Sequence, residues 1–145
     1  RSYLGWGKSH GLGTGLGLIM GAKLAQPDKF CVNFMGDAAF GMTGLDFETA
    51  VRSNIPTCTV VLNNDDMAVE VPHMELSNDR FGSRALYGRY ADMARAMGGW
   101  SERIDDPEDV GPALVRARKA TEEGKSTLLE FVTSSEQAKS NLRAF

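Results

Sequence analysis

The sequence predicts an α/β fold in which a parallel sheet is flanked by helices on both faces. Two short apolar runs, 30–35 and 57–62, are rich in β-branched and aromatic residues and have the composition of buried strands. Segments with apolar residues at helical spacing alternate with strand-like runs along the chain. This alternation is typical of a parallel sheet, because each crossover between parallel strands lays a helix on one face.

The first half of the chain is expected to supply two helices and these two strands. Apolar residues at helical spacing predict a helix over 12–25, although each of its glycines costs about 1 kcal/mol relative to alanine. The turn at Pro27 leads into the first strand. Thr43 is a candidate cap for a helix over 43–52, which precedes the second strand.

The second half continues the alternation after an irregular stretch. Residues 63–88 show no clean period, and so long an irregular segment inside a compact domain is usually functional or mobile. A helix over 90–97 and a short strand over 100–104 come next. A helix that starts at Asp106-Pro107, runs through Ala120 and is closed by Gly124 comes before the last strand, over 127–132.

Length, charge and composition narrow the class of protein. A chain of 145 residues is expected to form one domain over 1–145. The net charge is −3 with no basic cluster, so neither nucleic acid nor an anionic membrane surface is an expected partner. No apolar stretch approaches the roughly 20 residues that span a bilayer. Cys31 and Cys58 are expected to be free core residues in a reducing compartment, which makes the cytoplasm the default location.

Polar residues with the chemistry of metal ligands stand at the ends of the first two predicted strands. Gly36-Asp37 follows the first strand and Asn63-Asn64 the second, with Asn64 27 positions after Asp37. In open α/β sheets ligands bind at the carboxyl ends of the strands, so Asp37 and Asn64 are candidate ligands of one site. Carboxylate and amide oxygens suit Mg²⁺ or Ca²⁺, and Mg²⁺ usually completes its octahedron with phosphate oxygens and water.

A Gly-Asp-(Gly/Ala) start and an Asn-Asn end at this spacing resemble the diphosphate-binding motif of thiamine diphosphate enzymes. The chain is most similar to their acetolactate synthase-like group, over about 5–133. This resemblance implies the thiamine diphosphate-binding fold and the domain that holds the diphosphate end of the cofactor. It also implies that Mg²⁺ is bound by the side chains of Asp37 and Asn64 and by the backbone carbonyl of Asp66, whose own side chain is expected to be solvated.

The same resemblance implies which residues lie against the diphosphate. Ala38 and Ala39, next to Gly36, are expected to direct backbone N–H groups at it, because small residues let the main chain come close. Met67 and Ala68, just after the metal-binding turn, are further expected contacts with the cofactor. Met42, on the helix after Asp37, is expected to be a core residue.

The glycine-rich run over 11–17 has three interpretations. It fails as a dinucleotide fingerprint, because no frame gives Gly-x-Gly-x-x-Gly and no strand precedes it. In the family that the chain resembles, a similar stretch contacts the cofactor. By that resemblance Leu12 wedges between the two rings and bends the cofactor, while the carbonyl of His10 and the N–H of Leu12 meet the aminopyrimidine. Helix packing is the alternative role for Leu12.

The resemblance implies a thiamine diphosphate-dependent lyase or transferase that cleaves or forms C–C bonds of 2-oxo acids, as a decarboxylase or carboligase. Acetolactate synthases carry a tryptophan at the position of His73, which argues against acetolactate synthase activity itself.

The family's activating glutamate belongs to an amino-terminal domain, so the chain is expected to be the C-terminal part of a longer multidomain protein. The implied partners are that pyrimidine-binding domain and other subunits, in a homodimer or homotetramer. Binding of FAD, found in some relatives, stays open.

A non-catalytic alternative also stays open from the sequence. A flavodoxin-like or Rossmann-like module would use the same strand-end site for another phosphate ligand. Metal dependence separates the two, because thiamine diphosphate requires Mg²⁺, whereas a nucleotide held at a helix amino terminus does not.

Overall fold

The computed structural model describes residues 3–5, 11–68 and 70–136, which form a parallel sheet with helices on both faces. The strands are β1 (Val32–Gly36), β2 (Cys58–Asn63), β3 (Trp100–Ile104) and β4 (Thr127–Val132). The helices are α1 (Gly15–Ala25), α2 (Asp37–Thr43), α3 (Asp46–Arg52), α4 (Glu75–Phe81), α5 (Tyr90–Ala96) and α6 (Val110–Glu122). The fold class predicted from the sequence is confirmed.

The order of the described strands is β1-β2-β4-β3, and every neighbouring pair is parallel. Gly36, the last residue of β1, lies opposite Leu62 of β2. The residues that leave the two strands, Asp37 and Asn64, therefore emerge next to each other at the carboxyl edge. This register places the predicted ligands at one point.

Two apolar layers hold the sheet between its helices. Helices α1, α2, α3 and α5 cover one face, where the core includes the buried side chains of Leu16, Phe40, Phe47, Val61 and Leu128. Helix α6 covers part of the other face, where Ala113 and Ala117 belong to the same cluster as Val60 and Leu129. Because helices pack on both faces of the sheet, the strand sequences are nearly continuous apolar runs.

The face that carries α6 is only partly covered by the described residues. Phe34 on β1 is 59% exposed, and Leu62 on β2 is also exposed. The two side chains project from the same face of neighbouring strands, because Phe34 lies opposite Val60 and side chains alternate along a strand. An apolar surface therefore lies beside β1.

The segment after β1 differs from the prediction of one helix over 43–52. The chain enters α2 directly at Asp37, and α3 begins only at Asp46. Thr43 caps neither helix, because its hydroxyl donates a hydrogen bond of 2.7 Å to the carbonyl of Gly13. Met42 is 59% exposed, so the expected core role was wrong. Phe40 faces the sheet, and at about 100° per residue a side chain two positions later points away from it.

The other elements follow the prediction with shifted ends. Helix α1 begins at Gly15, because residues 12–14 form a turn, and the irregular stretch over 63–88 contains α4 and a 3₁₀ turn at Val71–His73. The later helices and strands lie where they were expected, with a 3₁₀ turn at Pro107–Asp109 before α6.

Both cysteines are buried and free, as expected for core residues. Burial raises the pKa of the Cys58 thiol, so the thiol stays protonated in its strand. Within the described part of the chain, no helix has the length and apolar character needed to cross a membrane.

Replacement of Phe47 by alanine is expected to lower the free energy of unfolding by about 3–5 kcal/mol, because it leaves a cavity in the main apolar layer. Phe81→Ala is the matched control, since this phenylalanine of α4 is 80% exposed and the change should cost less than about 0.5 kcal/mol. Urea denaturation followed by circular dichroism measures both. Equal losses in the two variants would contradict this description of the core.

Candidate functional site

The carboxyl ends of β1 and β2 bring the two predicted ligand residues into contact. Asp37, the first residue of α2, is 3% exposed. Its Oδ1 atom accepts a hydrogen bond of 2.8 Å from the backbone N–H of Ala38. Its Oδ2 atom accepts one of 3.2 Å from the backbone N–H of Asn64. The prediction that Asp37 and Asn64 belong to one site is supported by this direct contact.

The carboxylate of Asp37 has room for a cation. An ionised carboxylate can accept about four hydrogen bonds, and each oxygen of Asp37 accepts one from a backbone N–H group. Each oxygen therefore keeps a lone pair for another ligand. None of the ion pairs among the described residues includes Asp37. A buried carboxylate without a cationic partner is costly, and a metal ion would remove that cost. The donor set therefore fits a hard divalent cation such as Mg²⁺.

The turn after β2 is shaped by two side-chain amides. The Oδ1 atom of Asn63 accepts from the N–H of Asp65 at 3.1 Å, and that of Asn64 accepts from the N–H of Asp66 at 3.1 Å. Between them Asp65 adopts a left-handed backbone with φ +55°, a conformation that needs local support in a residue other than glycine. The side chain of Asp65 is exposed. A carbonyl oxygen has two lone pairs, so the Asn64 oxygen keeps one for a ligand.

The side chain of Asp66 is buried rather than solvated, so that expectation was wrong. Its carboxylate pairs with Arg84 through a bond of 2.9 Å from Nε to Oδ1 and through a second bond to Oδ2, which also accepts from the Ser135 hydroxyl. The Arg84 hydrogen bonds lower the pKa of Asp66 and outweigh the opposing effect of burial. With the carboxylate engaged, the backbone carbonyl is the group of Asp66 left for a metal. Among the described residues, no backbone hydrogen bond ends on that carbonyl.

A short ladder closes the segment that follows this turn. Asp66 and Ala85 form an antiparallel bridge, in which the N–H of Met67 donates to the Arg84 carbonyl at 2.9 Å. The N–H of Leu86 donates to the Asp65 carbonyl at 3.0 Å. We call residues 67–84, which leave and return at this bridge, the excursion. Its base is fixed at the site by these bonds and by the Asp66–Arg84 ion pair.

The residues expected against the diphosphate lie around the start of α2 and just after the turn that follows β2. The N–H of Ala38 already donates to Asp37, and Ala39 is buried. A Cβ atom built on Gly36 would have no neighbour within 4 Å, so the backbone there faces open space. Met67 uses its N–H in the bridge and Ala68 is buried. The structure leaves a free approach at Gly36, and the contacts of the other four with a diphosphate stay predictions.

The glycine-rich loop reaches α2. Gly13 has φ +95°, and a Cβ atom there would lie 2.7 Å from the Thr43 side chain and 3.0 Å from the Ala39 carbonyl. Only glycine fits this backbone and this close approach. Leu12, one residue earlier, is 45% exposed, which does not favour a packing role for it. The predicted contact of His10 lies outside the described residues.

A polar group that was not predicted from the sequence lies beneath the turn. Glu130 of β4 is fully buried and accepts from the side chain of Asn63 at 2.8 Å and from the N–H of Ala91 at 2.8 Å, and it also pairs with Arg103. Burial raises the pKa of Tyr90, and the charges of Asp37, Asp65 and Glu130 raise it further. The signal that could have identified Glu130 is a single acid in the apolar strand Thr-Leu-Leu-Glu-Phe-Val.

Two cavities lie away from Asp37. One of about 490 Å³ opens at the amino ends of the strands, beside Phe30 and Pro56, and is therefore at the wrong edge for these ligands. Another of about 320 Å³ lies in the excursion and is lined by His73, Met74, Leu76, Ser77, Arg80 and Phe81. No cluster of three or more histidine, cysteine or acidic residues occurs in the described segments. A metal ion at the strand ends would therefore depend on mixed carboxylate, amide and carbonyl ligands.

Comparison with known proteins identifies the family. A family model described as "Thiamine pyrophosphate enzyme, C-terminal TPP binding domain" matches residues 1–131. The chain belongs to this thiamine pyrophosphate enzyme family, as its C-terminal binding domain. Thiamine pyrophosphate is another name for thiamine diphosphate, so the resemblance found in the sequence and the cofactor it implied are confirmed. The match gives no support to the non-catalytic alternative.

Curated relatives of this thiamine pyrophosphate-binding domain are enzymes. The chain is 37% identical over 127 residues to sulfoacetaldehyde acetyltransferase of Alcaligenes xylosoxydans xylosoxydans, covering 86% of this chain and 21% of that protein. It is 37% identical over 117 residues to an acetolactate synthase large subunit of Mycobacterium tuberculosis, covering 73% of this chain and 20% of that protein. It is 30% identical over 132 residues to 2-hydroxyacyl-CoA lyase of Oryza sativa subsp. japonica, covering 79% of this chain and 21% of that protein. The domain thus spans about a fifth of each relative.

A solved structure shows the same fold. The thiamine diphosphate-dependent 4-hydroxybenzoylformate decarboxylase of Rhodococcus jostii superposes with a TM-score of 0.73 at 23% sequence identity. The superposition covers 88% of this chain and 24% of that one. The thiamine diphosphate-binding fold expected from the sequence is confirmed.

Replacement of Arg84 by alanine is expected to loosen the base of the excursion, because it leaves the buried Asp66 carboxylate without its cationic partner. The amide protons of Met67 and Leu86, which close the bridge, should then exchange faster with solvent. Hydrogen exchange followed by mass spectrometry or NMR measures this. Arg80→Ala, on the exposed side of α4, is the control and should leave both amides protected. Unchanged exchange in Arg84→Ala would show that the ion pair does not hold the bridge.

Proposed function

We propose that the complete protein carrying this domain is a thiamine diphosphate-dependent lyase or transferase that cleaves or forms a C–C bond of a 2-oxo acid or a related carbonyl compound. The observation that carries this proposal is the contact between the buried Asp37 carboxylate and Asn64 at adjoining strand ends. The relatives named above support it, because all of them are lyases, synthases or acyl transferases of one cofactor family. The match of His73 to a family tryptophan position leaves acetolactate synthesis a less favoured reaction within this class.

The metal in this proposal is Mg²⁺, bound by the side chains of Asp37 and Asn64 and by the backbone carbonyl of Asp66. These three oxygens come from a strand end, a turn and the base of the excursion, which the hydrogen bonds described above hold together. Mg²⁺ keeps open positions for phosphate oxygens when a protein supplies so few ligands. The domain therefore binds the diphosphate through the metal.

The cofactor, when bound, supplies the nucleophilic carbon and the electron sink that C–C bond chemistry needs. The task of this chain is to bind and orient it. Gly36, Ala38 and Ala39 give the backbone a close approach to the diphosphate, and Leu12 and His10 meet the rings. Met67 and Ala68 line the same edge as the excursion begins. The exposed position of Leu12 supports this role, because a residue that wedges a ligand must be free of the core.

The excursion is the proposed substrate end of the site. It starts one residue after the Asp66 carbonyl and holds a cavity of about 320 Å³. Arg80 and His73 line that cavity, so it offers basic groups to an anionic substrate. A 2-oxo acid has the carboxylate that such a lining would accept.

The working unit is proposed to contain more than one subunit, as a homodimer or homotetramer, together with the pyrimidine-binding domain. The exposed apolar side chains of Phe34 and Leu62 support an interface on the sheet face beside β1. Light scattering of the purified complete protein tests this, and a monomeric mass for the active enzyme would contradict it.

The decisive experiment examines the native protein for its cofactor. The complete protein is purified with Mg²⁺, denatured, and the released small molecules are oxidised to detect the fluorescent thiochrome product of thiamine diphosphate. A stoichiometric signal that a chelator removes is expected, and 2-oxo acids are then screened for decarboxylation and carboligation. A folded protein that neither releases nor takes up the cofactor would overturn the proposal.

Replacement of Asp37 by alanine is expected to abolish Mg²⁺-dependent retention of thiamine diphosphate while the domain stays folded, because the only carboxylate of the metal site is lost. Asp46→Ala is the matched control, since this residue is also the first of its helix but is exposed. Thiochrome fluorescence after gel filtration gives the retention, and circular dichroism checks the fold. Wild-type retention in Asp37→Ala would overturn the metal assignment.

A further inference from the structure

A fully buried carboxylate lies beneath the metal-binding turn and is not needed for any contact with the cofactor. Glu130 sits in the middle of β4, opposite Val61 of β2 and Arg103 of β3. Its Oε1 atom accepts from the Nδ2 atom of Asn63 at 2.8 Å and from Arg103, and its Oε2 atom accepts from the N–H of Ala91 at 2.8 Å. Burying a charge in a central strand is costly, so each of these partners has to be in place.

The side-chain amide of Asn63 has one orientation in this environment. Its Nδ2 atom donates to Glu130 and, at 3.4 Å, to the carbonyl of Gly88, and both of these groups only accept hydrogen bonds. Its Oδ1 atom therefore faces the turn after β2, where it accepts a hydrogen bond from the N–H of Asp65 at 3.1 Å. A flipped amide would set its NH₂ group against the N–H of Asp65.

The bond to Asp65 controls the backbone that presents the metal ligands. Asp65 has the left-handed φ of +55°, and hydrogen bonds made by its two neighbours flank it in the turn. Asn64 donates its N–H to Asp37 on one side of Asp65, and Asp66 donates its N–H to Asn64 on the other. A change in the Asn63 amide would therefore reach both the Asn64 oxygen and the Asp66 carbonyl.

We propose that Glu130 is a positioning residue of the metal site: it fixes the amide of Asn63, and through it the turn that carries Asn64 and Asp66. This inference rests on the proposed function, since it concerns the same metal site. Glu130 also joins Ala91 and Arg103, which anchors the start of α5 and β3 to the same carboxylate. A purely structural role through those two partners is the alternative, and it predicts no effect on the metal.

The first test measures metal affinity without any turnover. Mn²⁺ is titrated into the complete protein at saturating thiamine diphosphate, and free Mn²⁺ is measured by electron paramagnetic resonance. Glu130→Gln should weaken Mn²⁺ binding by about 10- to 100-fold, the usual effect of losing a group that orients a metal ligand. Glutamine has a neutral oxygen and an NH₂ group in place of the two carboxylate oxygens, so the charge-assisted hydrogen bond that fixes the Asn63 amide is weakened or lost.

A charge-conserving exchange tests the link to Asn63. Asn63→Asp alone places two carboxylates against each other and should weaken Mn²⁺ binding at least as much as Glu130→Gln. In the double variant Asn63→Asp/Glu130→Gln, the glutamine donates to the new aspartate, whose other oxygen still accepts from the N–H of Asp65 and whose charge replaces that of Glu130 as the partner of Arg103. Mn²⁺ affinity should recover to well above that of either single variant. If both single variants weaken binding and the double variant shows no recovery, the proposed route through Asn63 is overturned.

A destabilised control separates positioning from general loss of stability. Ser101→Ala removes the buried hydrogen bond of 2.6 Å from the Ser101 hydroxyl to the Ala91 carbonyl, so it loosens α5 without touching Asn63. Its melting temperature should fall while Mn²⁺ affinity stays within about twofold of wild type. If Glu130→Gln behaves in the same way, the carboxylate is only structural. Should Glu130→Gln fail to fold, Asn63→Ala tests the same link, and unchanged Mn²⁺ affinity there overturns the inference.

The wild-type protein distinguishes this inference from the function on which it rests. If wild type binds no Mn²⁺ with thiamine diphosphate, the proposed function fails and the inference falls with it. If wild type binds Mn²⁺ and Glu130→Gln binds it equally well, only the positioning role is overturned.

Discussion

The parallel register of β1 on β2 is the constraint on which the site depends. Because Gly36 lies opposite Leu62, the residues after the two strands leave the sheet side by side, and the Asp37 carboxylate can accept the N–H of Asn64. A shift of one residue would move the apolar side chains of β1 to the wrong face, so core packing enforces the register. The relative position of Asp37 and Asn64 is thus secured by the same burial that stabilises the sheet.

Much of the fold and the centre of the site could be predicted from the sequence because their signals are local. Apolar runs of strand length and helical spacing gave the alternating elements, and β3, β4 and α5 lie at the expected positions. Asp37 and Asn64 each follow a predicted strand directly, so the rule for parallel sheets was enough to bring them together.

The remaining features depend on contacts between residues far apart in sequence. Arg84 and Glu130 act on the turn after β2 from 18 and 67 positions away, and no local pattern marks those pairings. Thr43 has the composition of a helix cap, yet a partner 30 positions earlier takes its hydroxyl. The burial of the Asp66 carboxylate has the same origin, since an acid in a turn is solvated unless a distant arginine reaches it.

The closed base of the excursion has a consequence for how such a domain can evolve. Because the antiparallel bridge at Asp66 and Ala85 ties both ends of the segment, its interior can lengthen, shorten or change sequence while the chain still enters and leaves at the same points. Longer loops between fixed ends add little entropic cost, since each doubling of length costs only about 0.6 kcal/mol. Variation can therefore accumulate between Met67 and Arg84 under selection for new chemistry, while the strand-end edge that carries Asp37 and Asn64 is inherited unchanged.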